Sequence, residues 1–164
     1  MTTNLIELGN QIRDGYASSV AEGHAAWMHY ISPDGMRHIH VPEMTHKADG
    51  QLDFPPSDDS EVEAKAHALD MIKTRVVVEN VRQAGNDMLI LETLYTGTLP
   101  DGNDFRYPDT QLFTFRDGKI VQLIQVASAE MWATLLGALK TVSAPGYDAG
   151  TLSRRGYVTE STSG

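Results

Sequence analysis

The sequence predicts an α+β fold in which helices cover one face of a curved, mostly antiparallel sheet. Two observations predict it. Apolar residues recur every three or four positions through the first 31 residues, and again after 128. Between 75 and 127 the period switches to two, and turn signals divide that stretch into four strands.

The elements follow in order. Asn4 is a candidate N-cap, and Leu5, Leu8, Ile12, Tyr16 and Val20 mark one face of a helix over 5–21. Glu22-Gly23 ends it, and a short helix follows over 25–31. Ser32-Pro33-Asp34-Gly35 is a turn by composition. Residues 36–41 form a strand stopped by Pro42. Residues 45–58 are polar, carry Gly50, Pro55 and Pro56, and predict a loop. Asp58-Asp59-Ser60 can cap a helix from Glu61 to about Thr74, with Val62, Ala66, Leu69 and Ile72 marking its faces. The four strands are 75–83, 88–99, 105–116 and 119–127. The last two join at the hairpin signal Asp117-Gly118. A helix over 128–140 and a Gly/Ser/Thr-rich tail over 143–164 complete one domain of 1–142 plus tail. Helices on one face of such a sheet leave a blind pocket, a common ligand site.

Composition narrows the function. The 164 residues contain no cysteine, which removes disulfides, thiolate zinc sites and cysteine nucleophiles. Lys plus Arg is 13 against 22 for Asp plus Glu, a net charge of −9, the wrong sign for a nucleic-acid partner. No apolar run approaches the ~20 residues of a membrane span. The first residues have neither a basic region nor a long apolar stretch, so no secretory signal is read and a cytoplasmic protein is expected. There is no Gly-x-Gly-x-x-Gly, P-loop or Gly-x-Ser-x-Gly elbow. Nucleotide cofactors and serine hydrolysis are therefore not expected.

Three features could carry chemistry. His38 and His40 project to one face of the strand 36–41, in a chain with 6 histidines. Imidazoles suit proton transfer near neutrality, though an edge pair can also be a solvated surface feature. His38, His40 and Glu43 could alternatively hold a metal. The spacing to Glu43 is too short for the cupin pattern and no distal histidine follows, so no metal is expected. Finally, Phe105, Tyr107, Asp109, Gln111, Phe113 and Phe115 share one strand face. That mixture suits a pocket wall, and equally a dimer interface. Trp27, Tyr30 and Trp132 read as core or interface as readily as pocket.

The segment Tyr16-Ala-Ser-Ser-Val-Ala-Glu-Gly-His24, running on through Ser32-Pro33-Asp34-Gly35 to Val41-Pro42, resembles the opening of nuclear-transport-factor-2-like (SnoaL-like) domains. Tyr95-Thr-Gly-Thr-Leu and Phe113-Thr-Phe-Arg-Asp-Gly-Lys-Ile120 are similar to the remainder, so the resemblance covers about 5–140. It implies a cone-shaped sheet wrapped around the N-terminal helices, a deep pocket and a homodimer. Aligned with the ketosteroid isomerases of that superfamily, Tyr16 matches the catalytic tyrosine, His40 stands at the base position and Gln111 at the neutral-acid position. The acidic residue of the related phenazine-biosynthesis proteins falls on Gln125, and another frequent aspartate on Ser128.

Two functions of different class remain. One is a cofactor-independent enzyme acting on a small, largely apolar, carbonyl-bearing substrate. His40, aided by His38 or Asp109, would move a proton, while Tyr16 and Gln111 hold the developing oxyanion. Trp27, Tyr30, Tyr107, Phe113 and Gln125, with His38, would contact the substrate. The chemistry would be isomerisation, aldol cyclisation or dehydration. The other function is non-catalytic binding or dimerisation on the same fold.

Overall fold

The computed structural model describes residues 3–41, 66–67 and 69–139; the side chains of His40, Trp132, Leu136 and Leu139 are outside that description. The elements are α1 (Leu5–Ser18), α2 (Val20–Met28), β1 (Arg37–Val41), β2 (Arg75–Ala84), β3 (Met88–Thr98), β4 (Asp104–Arg116), β5 (Lys119–Ala127) and α3 (Ala129–Leu139). The loop 45–58, the start of the helix from Glu61, Glu43 and the tail 143–164 lie outside the described residues.

The first helix breaks earlier than periodicity suggested. Ser19 is extended at φ −164 and ψ 167, and its side chain accepts from Glu22 N. Its own N–H closes α1 on Gly15 O. Asp70 then takes the next two donors, Val20 N at 2.7 Å and Ala21 N at 2.9 Å. A carboxylate on the first amides of a helix is favoured by both hydrogen bonding and the helix dipole. So α2 begins at Val20 rather than 25, and Gly23 is inside it. The local signal was the Ser19-x-x-Glu22 capping box, overridden by the continuous apolar stripe.

Four strands form the predicted meander. The sheet order is β1-β5-β4-β3-β2, with β2 to β5 paired antiparallel in succession. β1 adds parallel to β5, so the sheet is mixed. Asp117 (φ 52) and Gly118 (φ 74) both take left-handed backbone, as a two-residue hairpin turn requires. Pro108 lies just past the last β4–β5 pair, Asp109↔Ala127, where β4 has no neighbour on that side to miss its N–H. The helix reaching Met71 ends at Lys73, whose φ of 58 lets Thr74 N return to Leu69 O.

The core lies between the helices and one sheet face. α1 packs over β2 and β3, with Gly9 against Val81 and Leu89 and Arg13 Nε bonded to Val78 O at 3.2 Å. Trp27 of α2 meets Phe113 of β4 edge-on at 5.3 Å. Ser128 caps α3 by accepting from Met131 N, and Met131, Leu135 and Ala138 are buried. Among the described residues no helix is long and apolar enough to cross a membrane.

Candidate functional site

Period-two alternation puts the inward positions of β3, β4 and β5 in rows. Where those rows meet the two helices, the apolar core gives way to polar side chains. Thr93, Asp109, Gln111, Gln125, His38 and His24 are all buried there, with Tyr16, Trp27 and Tyr95. Register explains the grouping: Thr93 pairs with Asp109, Gln111 with Gln125, and His38 with Leu123, two residues from Gln125.

Asp109 organises the hydrogen bonds. Its Oδ2 accepts from Thr93 Oγ1 at 3.2 Å, Gln111 Nε2 at 3.2 Å and Gln125 Nε2 at 3.4 Å. A carboxylate only accepts, so both amides must turn their nitrogen towards it. Gln125 therefore presents Oε1 to His38 Nε2, 2.6 Å away. That nitrogen must carry a hydrogen, which assigns the His38 ring from the network. Gln111 spends its second N–H on the Tyr95 hydroxyl at 3.4 Å. Its Oε1 is buried with no hydrogen-bond partner, as is Trp27 Nε1.

Tyr16 closes the cluster from the helix side. Its hydroxyl is 3.3 Å from His24 Nδ1, which also lies 3.1 Å from Val20 O. A carbonyl cannot donate, so Nδ1 carries the hydrogen and shares it with the Tyr16 oxygen. The phenol's own hydrogen is then left to donate elsewhere. Burial pushes the Tyr16 phenol well above its ordinary value, and the Asp109 charge adds to the rise. The N–H groups of the Trp27 indole and the Gln111 amide favour the phenolate and oppose that rise. Tyr95 is raised by the same burial, then by Asp109 and Tyr16. Both phenols are neutral donors throughout the physiological range.

No family model matches this chain, and no curated protein sequence matches it either. Solved structures do. An NTF2-like protein of unknown function from Burkholderia pseudomallei aligns with TM-score 0.58 at 12% identity, over 81% of this chain and 98% of its own. A candidate SnoaL-like polyketide cyclase from a Jannaschia species aligns with TM-score 0.53 at 19% identity, over 85% and 93%. A protein with a ketosteroid-isomerase-like fold from Catenulispora acidiphila, solved with trimethylamine, aligns with TM-score 0.52 at 15% identity, over 92% and 98%. The chain has the NTF2-like fold.

Within that NTF2-like frame, seven of the ten residues expected at the site fall in or against one cluster: Tyr16, Trp27, His38, Asp109, Gln111, Phe113 and Gln125. Three do not. Tyr107 is half-buried, stacks on Phe105 and bonds Thr134 Oγ1 of α3 at 3.1 Å. Tyr30 packs on the His29 ring, and its carbonyl accepts from Ile120 N. The side chain of His40 is outside the described residues; its backbone is the register partner of Gln125. Gln111, expected to hold an oxyanion, directs its amide nitrogen to Asp109 and Tyr95. His24, Thr93 and Tyr95 join the cluster although they were not singled out. Thr93 and Tyr95 were legible as inward partners of Leu89 and Leu91 on a period-two strand. His24 was not, because its proximity to Tyr16 depends on the break at Ser19. Among the described residues no group of three or more His, Asp or Glu could hold a metal ion.

Proposed function

We propose that this chain is a cofactor-independent enzyme that moves protons on a small, largely apolar, carbonyl-bearing molecule bound between the helices and the sheet. The observation that carries this reading is a neutral buried phenol, Tyr16, in one cluster with the hydrogen-bonded chain Asp109–Gln125–His38. Tyr16 donates to the substrate carbonyl and to the enolate oxygen it becomes. A base removes the α-proton. His40 holds that place by the resemblance, and His38 and Asp109 relay or return the proton. Reprotonation at a different carbon gives isomerisation. Attack of the enolate carbon on a second carbonyl gives aldol cyclisation. Loss of a β-hydroxyl gives dehydration. Placing the exchange in an apolar enclosure strengthens every one of these hydrogen bonds.

The test uses 2-tetralone, an apolar ketone with acidic α-protons, in D2O. The wild-type chain should accelerate α-H/D exchange followed by NMR, and Tyr16→Phe should lose about 10²-fold, the scale of one oxyanion donor. Binding without exchange would replace the enzyme by a ligand-binding protein. Exchange equal in wild type and Tyr16→Phe would remove Tyr16 from the mechanism.

We also propose that the chain is a homodimer through the outer sheet face. Ile39, Ile124, Leu112 and Ile90 are register partners across four strands, all half-buried. Val41 and Val126 pair beside them at 40% and 39% exposure, where a solvent face would be polar. Light scattering should give a dimer mass for the wild type and a monomer mass for Leu112→Glu. A wild-type monomer would sink this part of the reading.

A further inference from the structure

Among the buried side-chain atoms that lack a hydrogen-bond partner in the described residues, two belong to neutral side chains of this cluster, and they differ in kind. Gln111 Oε1 is an acceptor and Trp27 Nε1 is a donor, and neither has a partner. Gln111 is 2% exposed and Trp27 1%. Neither atom can be satisfied by turning its own side chain. Rotating the Gln111 amide would set Oε1 against the Asp109 carboxylate, acceptor against acceptor. The Trp27 indole is held between the His24 ring at 5.2 Å and Phe113 at 5.3 Å. Natural cores seldom leave such atoms unpaired, and those that do so commonly have a functional reason. Both side chains belong to the Tyr16 cluster: Gln111 bonds Asp109 and Tyr95, and the Trp27 indole lies against the His24 ring that contacts the Tyr16 hydroxyl, where the proposed substrate carbonyl docks.

We infer that the substrate carries a hydroxyl group as well as its carbonyl, the hydroxyl donating to Gln111 Oε1 while a substrate oxygen accepts from Trp27 Nε1. The inference rests on the reading above and deepens it. Gln111 is then the specificity-determining residue that distinguishes a hydroxy-ketone from the plain ketone. Sites that spend a buried polar group on a substrate hydroxyl reject the analogue lacking it far more strongly than apolar pockets reject a missing methylene. The partition of roles is chemical. Tyr16 and Trp27 donate, so they serve carbonyl or enolate oxygens. The Gln111 Oε1 atom only accepts, so it takes an O–H and not an oxyanion. A ligand with no donor leaves the Gln111 carbonyl buried and unpaired, and binds more weakly for it.

The probes are the four ring-hydroxylated 2-tetralones, their methyl ethers and 2-tetralone itself, with Kd read from quenching of tryptophan fluorescence. Methylation removes the donor and keeps every acceptor. At least one phenol should bind on the order of 10- to 100-fold more tightly than its ether. Gln111→Leu should bring that phenol and its ether to within about 3-fold. Gln111→Met serves the same purpose should the leucine variant unfold. Trp27→Phe, read by calorimetry, should weaken phenol and ether by the same factor, because it removes a donor that both use. The inference falls if every wild-type phenol lies within 3-fold of its ether, which would mean that bound water satisfies Gln111. It also falls if the gap survives in both Gln111 variants. In either case 2-tetralone binding and exchange would leave the acid–base reading standing. If no probe binds the wild type at all, both readings fall together.

Discussion

Gly23→Ala tests whether the break between α1 and α2 serves the site. Alanine inside a helix is ordinarily favoured over glycine by about 1 kcal/mol. At Gly23 a Cβ would overlap Cδ1, Cγ and Cε1 of the Tyr16 ring. Each approach falls more than ~1 Å short of the usual 3.5–4.0 Å carbon contact. The backbone of α2 is tied down by Ser19 and Asp70, so the ring must move. Overpacking of this kind costs about 1–3 kcal/mol. Moving the ring also breaks the Tyr16–His24 contact, worth about 0.5–1.5 kcal/mol. Subtracting the helix gain leaves a net loss of about 0.5–3.5 kcal/mol, or a Tm lower by several degrees for a chain of this size. Gly137→Ala in α3 is the control, because a Cβ there meets nothing within 4 Å. It should gain up to about 1 kcal/mol from propensity alone. Both variants are read by urea denaturation, and by α-proton exchange with 2-tetralone. In Gly23→Ala the exchange should fall about 10²-fold, because the Tyr16 hydroxyl is displaced by an ångström or more. A Gly23→Ala protein as stable as Gly137→Ala would refute the claim that the Tyr16 ring rests on this glycine.

Three further outcomes are expected. Tyr16 and Tyr95 are raised above 10.0, so the unfolded chain loses those protons first as pH climbs past 10. Stability should be flat below pH 10 on their account, then fall by ~1.4 kcal/mol per pH unit per tyrosine until the folded values are reached. Absorbance at 295 nm should show two of the 6 tyrosines silent until the protein unfolds. All six ionising together near 10 in the native state would contradict the burial argument. Asp70→Ala uncovers two amides at the start of α2 and should cost about 1–2 kcal/mol by urea midpoint, whereas an unchanged midpoint would mean the cap carries nothing. Hydrogen exchange should be slowest over 88–95 and 112–125, the centre of the sheet, and rapid exchange there would undo the account of the core.

Sequence patterns reached most of the architecture and seven of the ten side chains of the buried cluster. The strands, the hairpin at Asp117-Gly118 and the inward face carrying Asp109, Gln111, Phe113 and Phe115 were all written in period-two alternation. Alternation is a local property: it assigns a face without knowing the neighbouring strand. The buried position of Tyr16 followed from helical period in the same way. What touches what was not local. His24 meets Tyr16 only because Ser19 and Asp70, fifty-one residues apart, stop one helix and start another. The direction of each hydrogen bond was further still from the sequence. Gln111 is as able to donate as to accept in isolation, and it matched a donor role by alignment. Asp109, an acceptor with no alternative, draws the glutamine nitrogen and leaves the glutamine oxygen unpaired. Sequence by itself set the fold and the list of polar residues in the core. The tertiary structure decided which of them donate, because that depends on a carboxylate held in place by three strands.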